Sequence, residues 1–251
     1  MATTTRRSFL LSAAAVSVGC VARGTEAPIG AAASVRPPTV GQTWRYAKRD
    51  FFTGTIVDTQ VDLVTAVGQT IQIDSHCETN PERPVRYPSW GATWWQQYMG
   101  HDTPAAAVPR EIQAPWGMVL VDPHWSELQA YEKPIALWPT QLRPGWSTSV
   151  STYYKIPDSS ETMPWQLTMH AERWESITVP AGRFTTLRFS NLIDFRYTNV
   201  SERVAGQRKE HLWFAPEIGR WVVRESAGIF REDMGVDVNE SSYRWELLNW
   251  T

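Results

Sequence analysis

The chain has 251 residues, with 24 Lys and Arg against 26 Asp and Glu, and a formal net charge of −2. That balance excludes a nucleic-acid partner, whose binding rests on cationic neutralisation of phosphates, and two cysteines exclude a disulfide framework. An apolar content of 42%, with 14 tryptophans, suffices for one domain with a real core.

At the N-terminus, Thr5-Arg6-Arg7-Ser8-Phe9-Leu10 places two arginines directly ahead of an apolar stretch that runs to Val18. A membrane-spanning helix needs about 20 apolar residues. This run is shorter and carries its positive charge on the N-terminal side, which is the character of a signal rather than an anchor. The segment resembles the twin-arginine export pattern, which implies that Arg6 and Arg7 are the pair read by the export machinery. Ser17-Val18-Gly19-Cys20 follows and is similar to the lipobox of bacterial lipoproteins, in which a small residue precedes a cysteine that takes a diacylglyceryl group. The likeness implies acylation of Cys20 and a membrane held as partner through that anchor. Serine stands where leucine is usual, so cleavage nearer Ala31-Ala32-Ala33 is the competing expectation. Val21 after the cysteine, in place of a retaining aspartate, implies the outer membrane in a two-membraned cell. The expected address is thus the periplasm or cell envelope. Loss of residues 1–19 removes Arg6 and Arg7 and no acid, taking the net charge from −2 to −4.

Residues 20–40, poor in large apolar groups and ending in Pro37-Pro38, read as a flexible tether. From Trp44 the pattern changes to period two, the spacing of a sheet with one buried face. Val57, Thr59, Val61 and Leu63 face one way; Asp58, Gln60 and Asp62 face the other. Gly68-Gln69 turns the chain into Ile71-Gln72-Ile73-Asp74, which completes a hairpin. Cys77 falls on the Ile71 and Ile73 face, which predicts a small buried residue rather than a reactive thiol.

Further strands are predicted at 146–155, 165–179, 184–195, 211–214, 220–230 and 243–250, separated by proline, glycine or polar turns. The best helical signal, residues 104–113, is short and bounded by prolines. Both halves open alike, with Gly41-Gln42-Thr43-Trp44 and Pro144-Gly145-Trp146, a hint of two similar halves. The expected fold over 41–251 is mostly β: one antiparallel domain, a curved sheet or open barrel, with little helix.

Two segments, Val179-Pro180-Ala181-Gly182-Arg183-Phe184 and Trp213-Phe214-Ala215-Pro216-Glu217-Ile218-Gly219-Arg220-Trp221-Val222-Val223-Arg224, carry a resemblance. They are similar to a pairing in uncharacterised bacterial secreted proteins and lipoproteins, where a "VPAG-x-F" turn precedes a strand reading "W-Y-A-P-x-x-G-x-V-x-R". Leu142-Arg143-Pro144-Gly145-Trp146 fits the same group. The resemblance implies a curved antiparallel sheet like the open barrels of lipoprotein carriers, and it implies no reaction. The residues themselves agree, since both segments carry turn chemistry.

No nucleophile elbow, dinucleotide or phosphate loop, zinc-protease motif or C-x-x-C is present, and the five histidines are scattered singly. No catalytic residue, metal site or cofactor is therefore expected. His76 beside Cys77 points to the opposite face of its strand and cannot share a hydrogen bond with it. Asp122-Pro123-His124-Trp125 with Glu127 is one of two clusters of titratable groups near aromatic residues, and loop capping or solvated turns account for both.

Residues 86–125 form a long connection that carries Tyr87, Trp90, Trp94, Trp95, Tyr98, Trp116 and Trp125 among five prolines. Loops beyond about 12 to 15 residues are usually functional or disordered, and this one is too aromatic for disorder. Either the rings plug one mouth of the sheet, or Trp90, Trp94, Trp95, Tyr98, Trp116 and Trp125 form a binding surface for a glycan, a lipid or an envelope protein. The expected function is a non-catalytic, membrane-tethered envelope protein that binds through this aromatic surface. The alternative is a hydrolase of envelope or imported polymers that uses Asp122 and Glu127.

Overall fold

The computed structural model describes residues 34–78, 109–124, 128–156, 162–199, 202–231, 237–239 and 242–251. Its strands are β1 (Thr43–Asp50), β2 (Ile56–Val67), β3 (Ile71–Cys77), β4 (Arg110–Gln113), β5 (Met118–Asp122), β6 (Gln129–Ala136), β7 (Ser147–Lys155), β8 (Met163–Val179), β9 (Gly182–Asn199), β10 (Glu202–Ala215), β11 (Arg220–Arg231), β12 (Asp237–Asn239) and β13 (Tyr243–Trp250). No described residue is helical.

Strands β1 to β10 pair in sequence order, and β10 pairs with β11, β11 with β13 and β13 with β1, every pair antiparallel. The sheet therefore closes on itself as a twelve-stranded barrel, with β12 laid against the far end of β11. The turn chemistry read from the sequence sits where strands reverse. Pro180 and Ala181 make the tight link between Val179 and its partner Gly182, and Gly219 takes φ 66° at the end of the Ala215–Gly219 turn. Gly41 and Gly145, ahead of β1 and β7, share a left-handed conformation at φ 85° and 80°, which glycine adopts without the Cβ clash of other residues.

Closure places the β2–β3, β4–β5, β6–β7, β8–β9 and β10–β11 turns at one end of the barrel. The segment entering β1 is strapped over that end: Arg36 N–H donates to Pro216 O at 2.8 Å, and Arg36 O accepts from the Trp116 indole at 3.1 Å. The strap passes so close to Gly219 that an added Cβ would lie 2.5 Å from Arg36 O. Ile218 folds inward at 0% exposure, and its carbonyl accepts from the Trp44 indole at 3.2 Å.

Buried apolar side chains gather in two clusters. One gathers Tyr131, Trp165, Leu167, Phe189 and Phe214; the other gathers Trp44, Tyr46, Val222, Trp245 and Leu247. On strand β2 the buried face is the polar one. Asp58, Gln60 and Asp62 are the buried set, at 9%, 1% and 0% exposure, whereas Val57 is 48% exposed. The alternation is as predicted. The connection over 86–125 is also shorter than expected: from Arg110 onward it is strands β4 and β5, and the last residues of the helical signal at 104–113 belong to β4. Its two Ile/Val-containing strands are four and five residues long, too short for their alternation to stand out. Cys77 is buried with Ile71, Ile73 and Ser75, as its register predicts.

Candidate functional site

The centre of the lumen is polar. Arg220, first residue of β11, reaches across to two other strands: its Nη1 donates to Glu111 Oε1 at 2.9 Å, and its Nη2 to Glu111 Oε2 and Asp62 Oδ2, each at 2.8 Å. All three side chains are at most 4% exposed. Asp62 Oδ1 accepts further bonds from Gln60 Nε2 and Ser75 Oγ, each at 2.8 Å. Glu111 accepts from Gln113, whose Oε1 in turn accepts from Gly117 N–H at 2.7 Å, tying the network to the β4–β5 turn. Burial alone would push the Asp62 carboxyl up, but the charges of Arg220 and His124 and the Gln60 hydrogen bond hold it below the usual range.

Asp122 and His124 extend this network past the end of β5. Asp122 Oδ1 accepts from both the backbone N–H and the Nδ1 of His124, each at 2.8 Å, and Glu111 Oε2 lies 3.7 Å from the same Nδ1. The backbone bond is the loop capping expected from the sequence; the solvated half of that expectation does not hold, since His124 is 6% exposed. Burial opposes protonation of His124, yet the hydrogen bond and charge of Asp122, with the charges of Glu111 and Asp62, raise its pKa above the ordinary 6.5. Burial likewise opposes ionisation of Asp122, and His124 outweighs it, bringing that carboxyl down to about 2. Four residues along β11 from Arg220, Arg224 pairs with Glu210 of β10, the two side chains 10% and 5% exposed.

These charges bound a cavity of about 90 Å³. Its polar pole is made by Glu111, Asp122, His124, Glu210, Arg220 and Arg224. The rest of its lining is largely apolar, with Ile135, Leu167, Met169, Phe189, Ile193 and Phe214. Asn191, 4% exposed, also lines it from β9, in register with Glu210 of β10. Among the described residues, Asn191 Oδ1, His124 Nε2 and Arg220 Nε have no hydrogen-bond partner although they are buried. Buried polar atoms are normally satisfied, each orphan costing about 1–3 kcal/mol, so three around one small cavity leave unused hydrogen-bonding capacity there.

Of the residues singled out from the sequence, Asp122 and His124 belong to this site. Trp116 does not line it. Trp116 sits on the β4–β5 turn under the strap, half-buried, edge-on to Trp138 with ring centres 5.2 Å apart. Arg6, Arg7, Cys20, Trp90, Trp94, Trp95, Tyr98, Trp125 and Glu127 lie outside the described residues. Among the described residues, no cluster of three or more His, Cys, Asp and Glu is arranged to hold a metal. Sequence reasoning missed Asp62, Glu111, Asn191, Glu210, Arg220 and Arg224. The available signal was the run of polar side chains at alternate positions of β2, the same signal that marked the strand.

The paired titrations predict a bell-shaped stability profile. Asp122, lowered in the fold, contributes stability that is complete above its ordinary 3.8 and lost as pH falls toward about 2. His124, raised in the fold, contributes stability that is complete below 6.5 and lost as pH rises through its folded value. Urea unfolding measured across this range should give a maximum between the two limits. In His124→Gln the alkaline decline should disappear; its persistence would assign that limb to another group.

No protein-family model and no curated protein matches the chain. Two solved structures show a distant similarity to it. One, from Parabacteroides distasonis ATCC 8503 and titled a "putative lipoprotein", is 15% identical, aligns over 86% of this chain and 97% of its own, and has a TM-score of 0.46. The other, from Bacteroides fragilis NCTC 9343 and titled a "putative exported protein with YmcC-like fold", is 12% identical over 87% and 99%, with a TM-score of 0.45. Neither likeness bears on activity.

Proposed function

We propose that this chain is an exported envelope protein, anchored through an acylated Cys20, that binds a molecule in the lumen of its barrel and releases it unchanged. The observation that carries this reading is the cavity between charged pole and apolar wall, with buried polar atoms left unsatisfied around it. The export half rests on the Arg6-Arg7 signal and the Cys20 motif. Trp90, Trp94, Trp95, Tyr98 and Trp125 belong to the same proposal as further aromatic contacts for the ligand or for a partner in the envelope.

One observation favours a second reading, a hydrolase. The carboxylate of Asp122 orients His124 as it would a general base. Tyr131 supplies the one hydroxyl among the described residues lining the cavity, and that phenol donates to Gln129 at 3.0 Å, so hydrolysis here would use a water activated by His124.

Protein recovered from its own envelope under native conditions, extracted with solvent and analysed by mass spectrometry, should yield an organic molecule in near-stoichiometric amount. An empty protein that also takes up no small apolar probe would end the binding proposal. Conversion of the bound molecule on incubation, abolished in His124→Gln with binding retained, would move the assignment to catalysis. Anchoring is tested separately: Cys20→Ala should leave the detergent phase for the aqueous phase, and unchanged partitioning would end the lipoprotein reading.

A further inference from the structure

We infer that the lumen site selects a small aliphatic alcohol, or the hydroxyl-bearing end of a longer aliphatic chain, over the corresponding acid and amine. This inference rests on the binding proposal above and names the chemistry of its ligand.

Every charge that lines the cavity already faces an opposite one: Glu111 faces Arg220, Glu210 faces Arg224 and Asp122 faces His124. An incoming carboxylate or ammonium would leave water and find no counterion free to receive it, and an unpaired buried charge is far costlier than a neutral polar group. What the pole leaves open is a set of neutral hydrogen-bonding positions. Among the described residues, Asn191 Oδ1 is an acceptor without a donor, and Arg220 Nε is a donor without an acceptor. His124 Nδ1 is engaged with Asp122, so its unpartnered Nε2 accepts when the ring is neutral and donates when it is protonated. A hydroxyl is both donor and acceptor and fits this set in either protonation state. The apolar wall then takes the carbon chain.

Size limits the occupant. A dry cavity of about 150 Å³ admits benzene, so 90 Å³ suits a chain of a few carbons or the end of a longer one. Ordered water is the competing occupant, since a polar cavity of this volume has room for it.

The test is a ligand-observed NMR titration of the mature chain at pH 7 with 1-hexanol, hexanoate and hexylamine. Hexanol should bind saturably, and the acid and amine at least about tenfold more weakly. Asn191→Leu removes one orphan acceptor and keeps the volume. It should weaken hexanol about fivefold, the loss of one neutral hydrogen bond, while the melting temperature holds or rises because a buried unsatisfied atom is gone. Hexanoate or hexylamine binding as tightly as hexanol would overturn the head-group inference and leave lumen binding standing. No saturable binding by any of the three, with Asn191→Leu still folded and no less stable, would mean that water alone fills the site. A marked fall in stability of Asn191→Leu would show that Asn191 has a structural partner and would also overturn the inference.

Discussion

Arg220→Met should destabilise the barrel by about 3–5 kcal/mol, the usual consequence of removing one partner from a buried ion pair. The cost comes from what is left behind. Asp62 and Glu111, 0% and 3% exposed, would stay in the lumen facing each other without the guanidinium that bonds both. Methionine fills much of the same volume, so the loss reports charge rather than packing. Adding Asp62→Asn and Glu111→Gln to the variant should restore most of the stability, because the uncompensated charges are then gone. Denaturant unfolding of the single and triple variants measures both numbers. A single-variant loss below about 1 kcal/mol would mean that water or protonation relieves the carboxylates, and the network would lose its structural role.

Trp44→Ala should cost a similar amount, about 3–5 kcal/mol, by a different route. Trp44 is fully buried in the second core, and its indole N–H is the donor that holds Ile218 O at the turn beneath the strap. The Arg220 guanidinium lies 5.3 Å from its ring centre, so the ring also supports the polar network from below. Truncation opens a cavity, frees a buried carbonyl and removes that support together. Trp44→Phe separates these contributions: it keeps most of the apolar volume and loses the donor, and should cost about 1–2 kcal/mol. Equal losses in the two variants would show that the hydrogen bond, and not the packing, dominates. A double variant with Arg220→Met should be less destabilised than the sum, since the two residues are in contact.

The fold was legible where its signals are local. Alternation in 57–63 and 71–77, the Pro180-Ala181-Gly182 link and the Gly219 turn each concern residues within a few positions of one another, and each stands where the sequence placed it. Strands β4 and β5 were hidden inside an aromatic, proline-rich stretch because four or five residues give period two too little length to register. The candidate site was nearly illegible. Asp122 and His124 stood out as neighbours near aromatic residues, but nothing local said that they would be buried beside Glu111. Asp62 and Arg220, 158 positions apart, had no sequence relation at all.

By itself the sequence determined the antiparallel β class, the turn positions and the two faces of the strands at 57–63 and 71–77. All of these follow from side-chain period and turn conformation, which the chain sets over a few residues. The tertiary structure decided which face is the inside. Alternation has the same form whichever face is buried, and the choice falls only when β10 meets β11 and β13 meets β1 to close the ring. A twelve-stranded ring is too wide for aliphatic side chains to meet across its centre. Arginine is long enough to cross, and carboxylates on the facing strands receive it, so Asp58, Gln60 and Asp62 turn inward and Val57 is left in water.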